Sequence, residues 1–148
     1  EGQYLNGKEH GQGIMIWPDG GRYEGQFLAG KRHGQGKTIW PDGGSYEGQY
    51  LNGEEHGQGH RIWADGESYK GAWIDGFLEG QGIMILADGK IYEGEYKDGE
   101  QHGQGVVFYP DGNILKGNYV YGSRHGKFIW TYSDNTQEEV KYVYDEII

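Results

Sequence analysis

Glycine in this chain keeps to a lattice. With Tyr23, Tyr46, Tyr69 and Tyr92 taken as position 1 of successive 23-residue segments, the 30 glycines fall on positions 3, 8, 12, 14 and 21, apart from Gly21 and Gly44 at position 22. Position 3, for instance, reads Gly2, Gly25, Gly48, Gly71, Gly94 and Gly117. Glycine at a fixed interval marks backbone sites that need positive φ or no side chain. A period of this length dictates a repeat architecture.

One segment, residues 23–45, predicts two strands. Tyr23, Gly25 and Phe27 alternate with Glu24 and Gln26, so an extended strand puts rings and glycine on one face and polar groups on the other. A polar loop ending at His33-Gly34 is expected next, then a second strand near residues 36–40 carrying Ile39 and Trp40. Pro41-Asp42-Gly43 closes the segment as a turn, proline presetting φ and glycine supplying the left-handed conformation. Glycine inside a strand is ordinarily unfavourable. Its recurrence beside aromatics implies rings lying over bare backbone, which lets a thin sheet bury surface without a second layer. The expected fold is therefore all-β: an elongated, single-layer antiparallel meander, a solenoid-like array of β-hairpins each contacting mainly its neighbours.

The pattern Tyr-Glu-Gly-x-aromatic, then x-x-Gly, His-Gly-x-Gly and Asp-Gly resembles the MORN repeat family. It covers residues 1–137 as six copies starting at 1, 23, 46, 69, 92 and 115, the first truncated, with 138–148 as a terminal strand or cap. The resemblance implies a non-catalytic interaction scaffold. It also implies association with cytoskeletal structures, membrane junctions, phosphoinositides or further copies, and hence a cytoplasmic, cytoskeleton- or membrane-associated location. Opening at Glu1 in mid-repeat without Met, the chain reads as a piece of a longer protein, so an accessory domain of a larger enzyme is an alternative.

Charge narrows the partners. The net charge is −10, both halves are acidic and no Lys/Arg cluster occurs. Nucleic acid binding, which rests on neutralising phosphates, is not expected. Phospholipid is a ligand alternative that this charge opposes. Leu, Ile, Val and Phe are scarce, which would ordinarily suggest disorder, but a 15% aromatic content at fixed positions supplies something to bury.

Chemistry is excluded on spacing. His10, His33, His56, His102 and His125 recur at one position in five of the six copies, about 10 Å apart between adjacent hairpins, too far to share a metal ion. Gly-Gln-Gly lacks the Lys-Ser/Thr and helix of a phosphate loop, and Asp-Gly turns lack a calcium loop's acidic ligands. No nucleophile motif occurs, and a repeated residue does not make the unique constellation that catalysis needs. No enzymatic activity, metal or cofactor is expected.

Candidate contact residues lie in two aromatic rows and where the lattice breaks. Position 18 reads Trp17, Trp40, Trp63, Leu86, Tyr109 and Tyr132; position 5 reads Tyr4, Phe27, Tyr50, Trp73, Tyr96 and Tyr119. These rows either form the core or leave a partly open groove for a helix or an extended peptide. Copy four places Phe77-Leu78 where the others keep charged or polar residues, so the pair either packs locally or anchors a partner. Copy six loses the pattern: Leu115 replaces Tyr, Phe128 replaces Gly, and Asp134-Asn135 replaces Asp-Gly. Val140, Tyr142 and Tyr144 alternate in a final edge strand that either caps the array or pairs with a second copy as a homodimer. The expected partner is thus a protein segment or a homodimer.

Overall fold

The structure, a computed structural model, describes residues 1–148. The chain is all-β and antiparallel, with strands neighbouring each other in chain order. Contacts divide it into two compact units, Glu1–Phe77 and Leu78–Ile148. The first holds β1 (Gly2–Leu5), β2 (Lys8–Ile16), β3 (Arg22–Leu28), β4 (Lys31–Ile39), β5 (Ser45–Leu51), β6 (Glu54–Ile62) and β7 (Ser68–Ile74). β8 (Phe77–Ile85) begins at the boundary. The second unit continues with β9 (Ile91–Lys97), β10 (Glu100–Phe108), β11 (Ile114–Val120), β12 (Ser123–Thr131), β13 (Gln137–Val143) and β14 (Glu146–Ile147).

The second strand of each repeat starts earlier than the sequence reading expected. β4 runs from Lys31, so His33-Gly34 lies in a strand, and the supposed loop shrinks to Ala29-Gly30. Both turn residues take positive φ, 51° and 85°, the type I′ geometry whose twist matches that of a hairpin. Asn52-Gly53 and Asp98-Gly99 do the same. Gly34 keeps its positive φ because it forms a bulge: the register shifts between Gly25 and Phe27, and Gln26 Oε1 accepts the freed Gln35 N–H at 2.8 Å. The Pro-Asp-Gly turn forms as expected. Gly43 N–H donates to Trp40 O (3.0 Å), Trp40 N–H to Gly44 O (2.9 Å), and Gly44 N–H to Asp42 Oδ1 (2.8 Å).

One sheet face is the core, and it is made of rings over glycine. In unit one Tyr23, Phe27, Tyr46, Tyr50, Tyr69 and Trp73 are buried while Glu24, Gln26, Glu47 and Gln49 face water. A Cβ added to Gly36 would stand 2.3–2.6 Å from the Tyr23 ring, which therefore occupies that space itself. Tyr23 OH then donates to Gln26 O at 2.8 Å. The rings meet edge to face in a zigzag, Phe27–Tyr23–Tyr50–Tyr46–Trp73–Tyr69, with centroids 5.1–5.3 Å apart, a geometry worth roughly 1 kcal/mol per pair beyond area.

Copy six replaces this slot rather than losing it. Leu115 is buried where a tyrosine would stand, and Phe128 on the facing strand puts its ring over Gly117, 2.4 Å from where a Cβ would lie. Phe128 makes the same edge-to-face contacts, with Tyr119 and Tyr142, both at 5.3 Å. Asn135 takes the glycine's left-handed conformation (φ 67°) and Asp134 still accepts Thr136 N–H, so the turn survives. Val140 pairs with Phe128. The final edge is also not where the sequence placed it: the chain turns at Tyr144-Asp145, and β14 pairs over β13 at Tyr142–Ile147 and Val143–Glu146.

Candidate functional site

In unit one, strand alternation carries the core face outward along each second strand. Arg32, Gly36, Thr38 and Trp40 share the face of Tyr23 and Tyr46. Thr38, fully buried, shares a hydrogen bond of 2.6 Å with Tyr50 OH. Trp17, Trp40 and Trp63 stand at the ends of these strands, half-buried, beyond the covered ring row. They open the turn of their own repeat, which fixes them at one level. The buried Trp73 donates its indole N–H to Gly59 O at 3.3 Å, whereas none of the three half-buried tryptophans donates to a protein group.

Two arginines lie among these rings. Arg61 stacks on Trp40, its guanidinium carbon 4.2 Å from the ring centroid, and lies 5.5 Å from Trp63. Its Nε is buried without a hydrogen-bond partner, and its nearest carboxylate, Glu55, is 3.7 Å away. Arg32 lies 5.0 Å over Tyr50 and 6.0 Å from Trp17. Its two bonds go to uncharged oxygens, Gly53 O (2.6 Å) and Thr38 Oγ1 (3.3 Å). The sequence reading passed over both. Their signal was parity: positions 10 and 16 fall on the same strand face as position 18.

Burial raises the core phenols. The Tyr23 hydroxyl is pushed up to about 12, only partly countered by the nearby Arg32 charge. Tyr46, Tyr50, Tyr92 and Tyr119 are raised further, burial again being the largest cause. Tyr23, Tyr46 and Tyr92 donate to the backbone carbonyls of Gln26, Gln49 and Glu95, a structural use of the hydroxyl.

In unit two, Leu86 and Tyr109 line an open depression of about 180 Å³ together with Lys90 and Arg124. Lys90 Nζ is 5.9 Å from the Tyr109 ring. Arg124 stacks on Tyr142 at 4.2 Å and bonds Asp145 Oδ1 at 2.7 Å, so its charge is already matched.

The remaining candidates separate by burial. Trp73 and Tyr142 are core, 2% and 3% exposed, and serve a contact only by supporting the surface beside them. Phe77 and Leu78 point to opposite sides of β8: Phe77 is exposed and Leu78 buried. They are strand residues, not loop residues. Val140 is half-buried, and Tyr144 is exposed in the last turn, 4.6 Å from the His125 ring. The repeated histidines reach the next hairpin: His102 Nδ1 accepts Tyr121 N–H at 3.4 Å. Glu79, which stands where copy four lacks a histidine, accepts Asp98 N–H in the same way at 3.0 Å.

Comparison with known proteins places the pattern. The family profile described as MORN repeat matches residues 1–22, 23–45, 46–68, 69–91 and 92–114. No curated protein sequence matches the chain. Among solved structures, the TCP domain of SAS-4 (dCPAP) of Drosophila melanogaster, in complex with a Proline Rich Motif of Ana2 (dSTIL), superposes with a TM-score of 0.56. It is 16% identical, over 93% of this chain and 83% of that one. The TCP10 domain of Danio rerio CPAP matches at a TM-score of 0.34 and 15% identity, over 86% and 72% of the two chains. A virginiamycin B lyase from Staphylococcus aureus matches at a TM-score of 0.21 and 18% identity, over 96% of this chain and 45% of that one. At these identities the first likeness is one of fold, and the other two carry no argument.

Proposed function

The chain belongs to the MORN repeat family, and from that premise we propose that it is a non-catalytic interaction module that takes a peptide segment of a partner protein on the aromatic face of unit one. The observation that carries this reading is the row Trp17, Trp40 and Trp63, half-buried, with indole N–H groups unused by the protein, above a ring row already fully buried. Rings needed for the core are covered; these three are surplus to it. Aromatic shelves with free donors suit a peptide, whose backbone brings carbonyl acceptors and whose side chains bring apolar area. The fold likeness to a TCP domain solved with a proline-rich peptide supports the same reading. Membership of the family supports a cytoplasmic, cytoskeleton-associated setting for such a module.

Selection from a displayed library of random peptides tests this, run against the native chain and against Trp17→Ala/Trp40→Ala/Trp63→Ala. Peptides retained by the native chain and released by the triple variant support the reading. Equal retention by both proteins refutes it. Sedimentation with phosphoinositide vesicles at physiological salt separates out the membrane alternative, which the −10 charge opposes. Self-association is a second reading, favoured by the exposed Ile147 and Ile148 on and beside the short β14. Light scattering at rising concentration reads it.

A further inference from the structure

The spacing of the tryptophans carries more than their exposure. Consecutive members of the row are two strands apart, which is about 9.6 Å at the usual strand separation. A polyproline II helix turns once per three residues, each rising about 3.1 Å, so its repeat is about 9.3 Å. One turn of such a peptide laid across the strands therefore advances by one tryptophan, and the mismatch over the three shelves stays below about 1 Å. An α-helix advances about 5.4 Å per turn and an extended strand about 6.6 Å per side-chain pair. Neither divides this interval into whole turns or pairs. The periodicity selects one backbone conformation among those a peptide can take.

The polar groups agree with that choice. Polyproline II has no internal hydrogen bonds, so its carbonyls need outside donors. The shelves offer three indole N–H groups and the Nε–H of Arg61, which has no hydrogen-bond partner, while the Arg61 charge is paired with Glu55 at 3.7 Å. Arg32 bonds only uncharged oxygens and so keeps its charge available on the same face of an otherwise acidic chain. A carboxylate on the peptide would complete it.

We propose that unit one binds a polyproline II segment with proline at every third residue seated on Trp17, Trp40 and Trp63, and with an acidic residue in the triplet facing Arg32. Each strand rotates roughly 20–25° against its neighbour, so the shelves turn through about 90° from first to last. This limits the site to about three triplets. Unit two does not repeat it, because Leu86 and Tyr109 replace the indoles and Arg124 is held by Asp145.

This proposal rests on the aromatic-face reading above, and the experiment separates the two. A synthetic peptide of five Pro-Pro-Glu triplets is titrated against the chain by tryptophan fluorescence, beside a peptide of the same composition with the triplet order permuted. The triplet peptide is expected to bind at least about fivefold more tightly than the permuted one, and Trp40→Ala to weaken it about tenfold or more. Arg32→Gln, in a chain melting like the native one, is expected to weaken the Pro-Pro-Glu peptide about fivefold while leaving a Pro-Pro-Gln peptide nearly unchanged. Equal binding of the ordered and permuted peptides overturns the spacing argument. If the library yields face-dependent peptides that are helical or lack the three-residue proline spacing, this inference falls while the aromatic-face reading stands. If no face-dependent peptide emerges, both fall.

Discussion

The swapped ring of copy six can be moved into another repeat. At the equivalent place in unit one, Tyr46 covers Gly59, whose added Cβ would lie 2.2 Å from the Tyr46 hydroxyl and 2.4 Å from its ring carbons. Gly59→Phe alone is therefore expected to destabilise by about 3 kcal/mol or more, because the buried Tyr46 ring must leave its slot. That ring also gives up its bond to Gln49 O (2.9 Å), worth about 1 kcal/mol. Tyr46→Leu alone empties a buried ring site between Tyr50 and Trp73, at about 3 kcal/mol. If Leu115 and Phe128 are a true exchange of the ring between strands, the double variant is expected to lose only about 2 kcal/mol. That is a coupling of about 5 kcal/mol between residues on paired strands. At this chain length about 1 kcal/mol shifts the melting temperature by about 3 °C. Each single variant should then melt roughly 10 °C low and the double variant roughly 6 °C low. Thermal melts of the four proteins decide it. A double variant that melts at the sum of the two single losses refutes the shared slot.

Other outcomes follow from the same geometry. Gly57→Ala combines positive φ (63°) with a Cβ 1.8 Å from Gln49 Oε1 and should cost about 3 kcal/mol. Gly53→Ala, with positive φ but open space around it, should cost about 1 kcal/mol in the same denaturant titration. The buried phenols are raised in the folded state, so the folded chain holds more protons than the unfolded one above pH 10. Stability is full below that pH and falls as pH climbs towards 12, where Tyr23 titrates. Tyrosinate absorbance should show these rings ionising only as the fold is lost, and early ionisation of all thirteen tyrosines would contradict their burial. Asp145, lowered by its bonds to Arg124, contributes above the ordinary carboxylate range and loses that contribution as pH falls through it. Asp145→Asn should accordingly melt a few degrees low at neutral pH and match the native chain at about pH 2.

The fold was legible because glycine and ring positions obey the two-residue period of a strand, and burial of Tyr23, Phe27, Tyr46 and Tyr50 follows that parity. The first turn was misplaced because polar residues at 31–33 looked like a loop. In a one-layer sheet polarity does not separate strand from loop, and Asn52-Gly53 was the better signal. The exchange of Leu115 for Phe128 read as decay because a single segment does not reveal that its two losses occupy one space. Of the candidate site, the position 18 row was visible in the sequence, but the partition between buried Trp73 and half-buried Trp40 was not. That depends on whether a ring lies amid the strands or at their ends. Arg61 was missed because a cation in a strand reads as a solvated face until its stacking on Trp40 is seen.

The turn glycines also give the array a direction. Gly30 N–H donates to Glu9 O, Gly53 N–H to Arg32 O and Gly76 N–H to Glu55 O in unit one, each at 2.9 Å; Gly99 and Gly122 do likewise towards Leu78 and Gln101 in unit two. Every such bond runs from a later hairpin back to an earlier one. A chain emerging N-terminus first therefore presents the acceptor before its donor exists. A ribosome needs about a second or more to make a repeat, while a hairpin closes in microseconds. Each new hairpin thus meets a finished docking edge, and within each unit assembly can proceed as growth on a template.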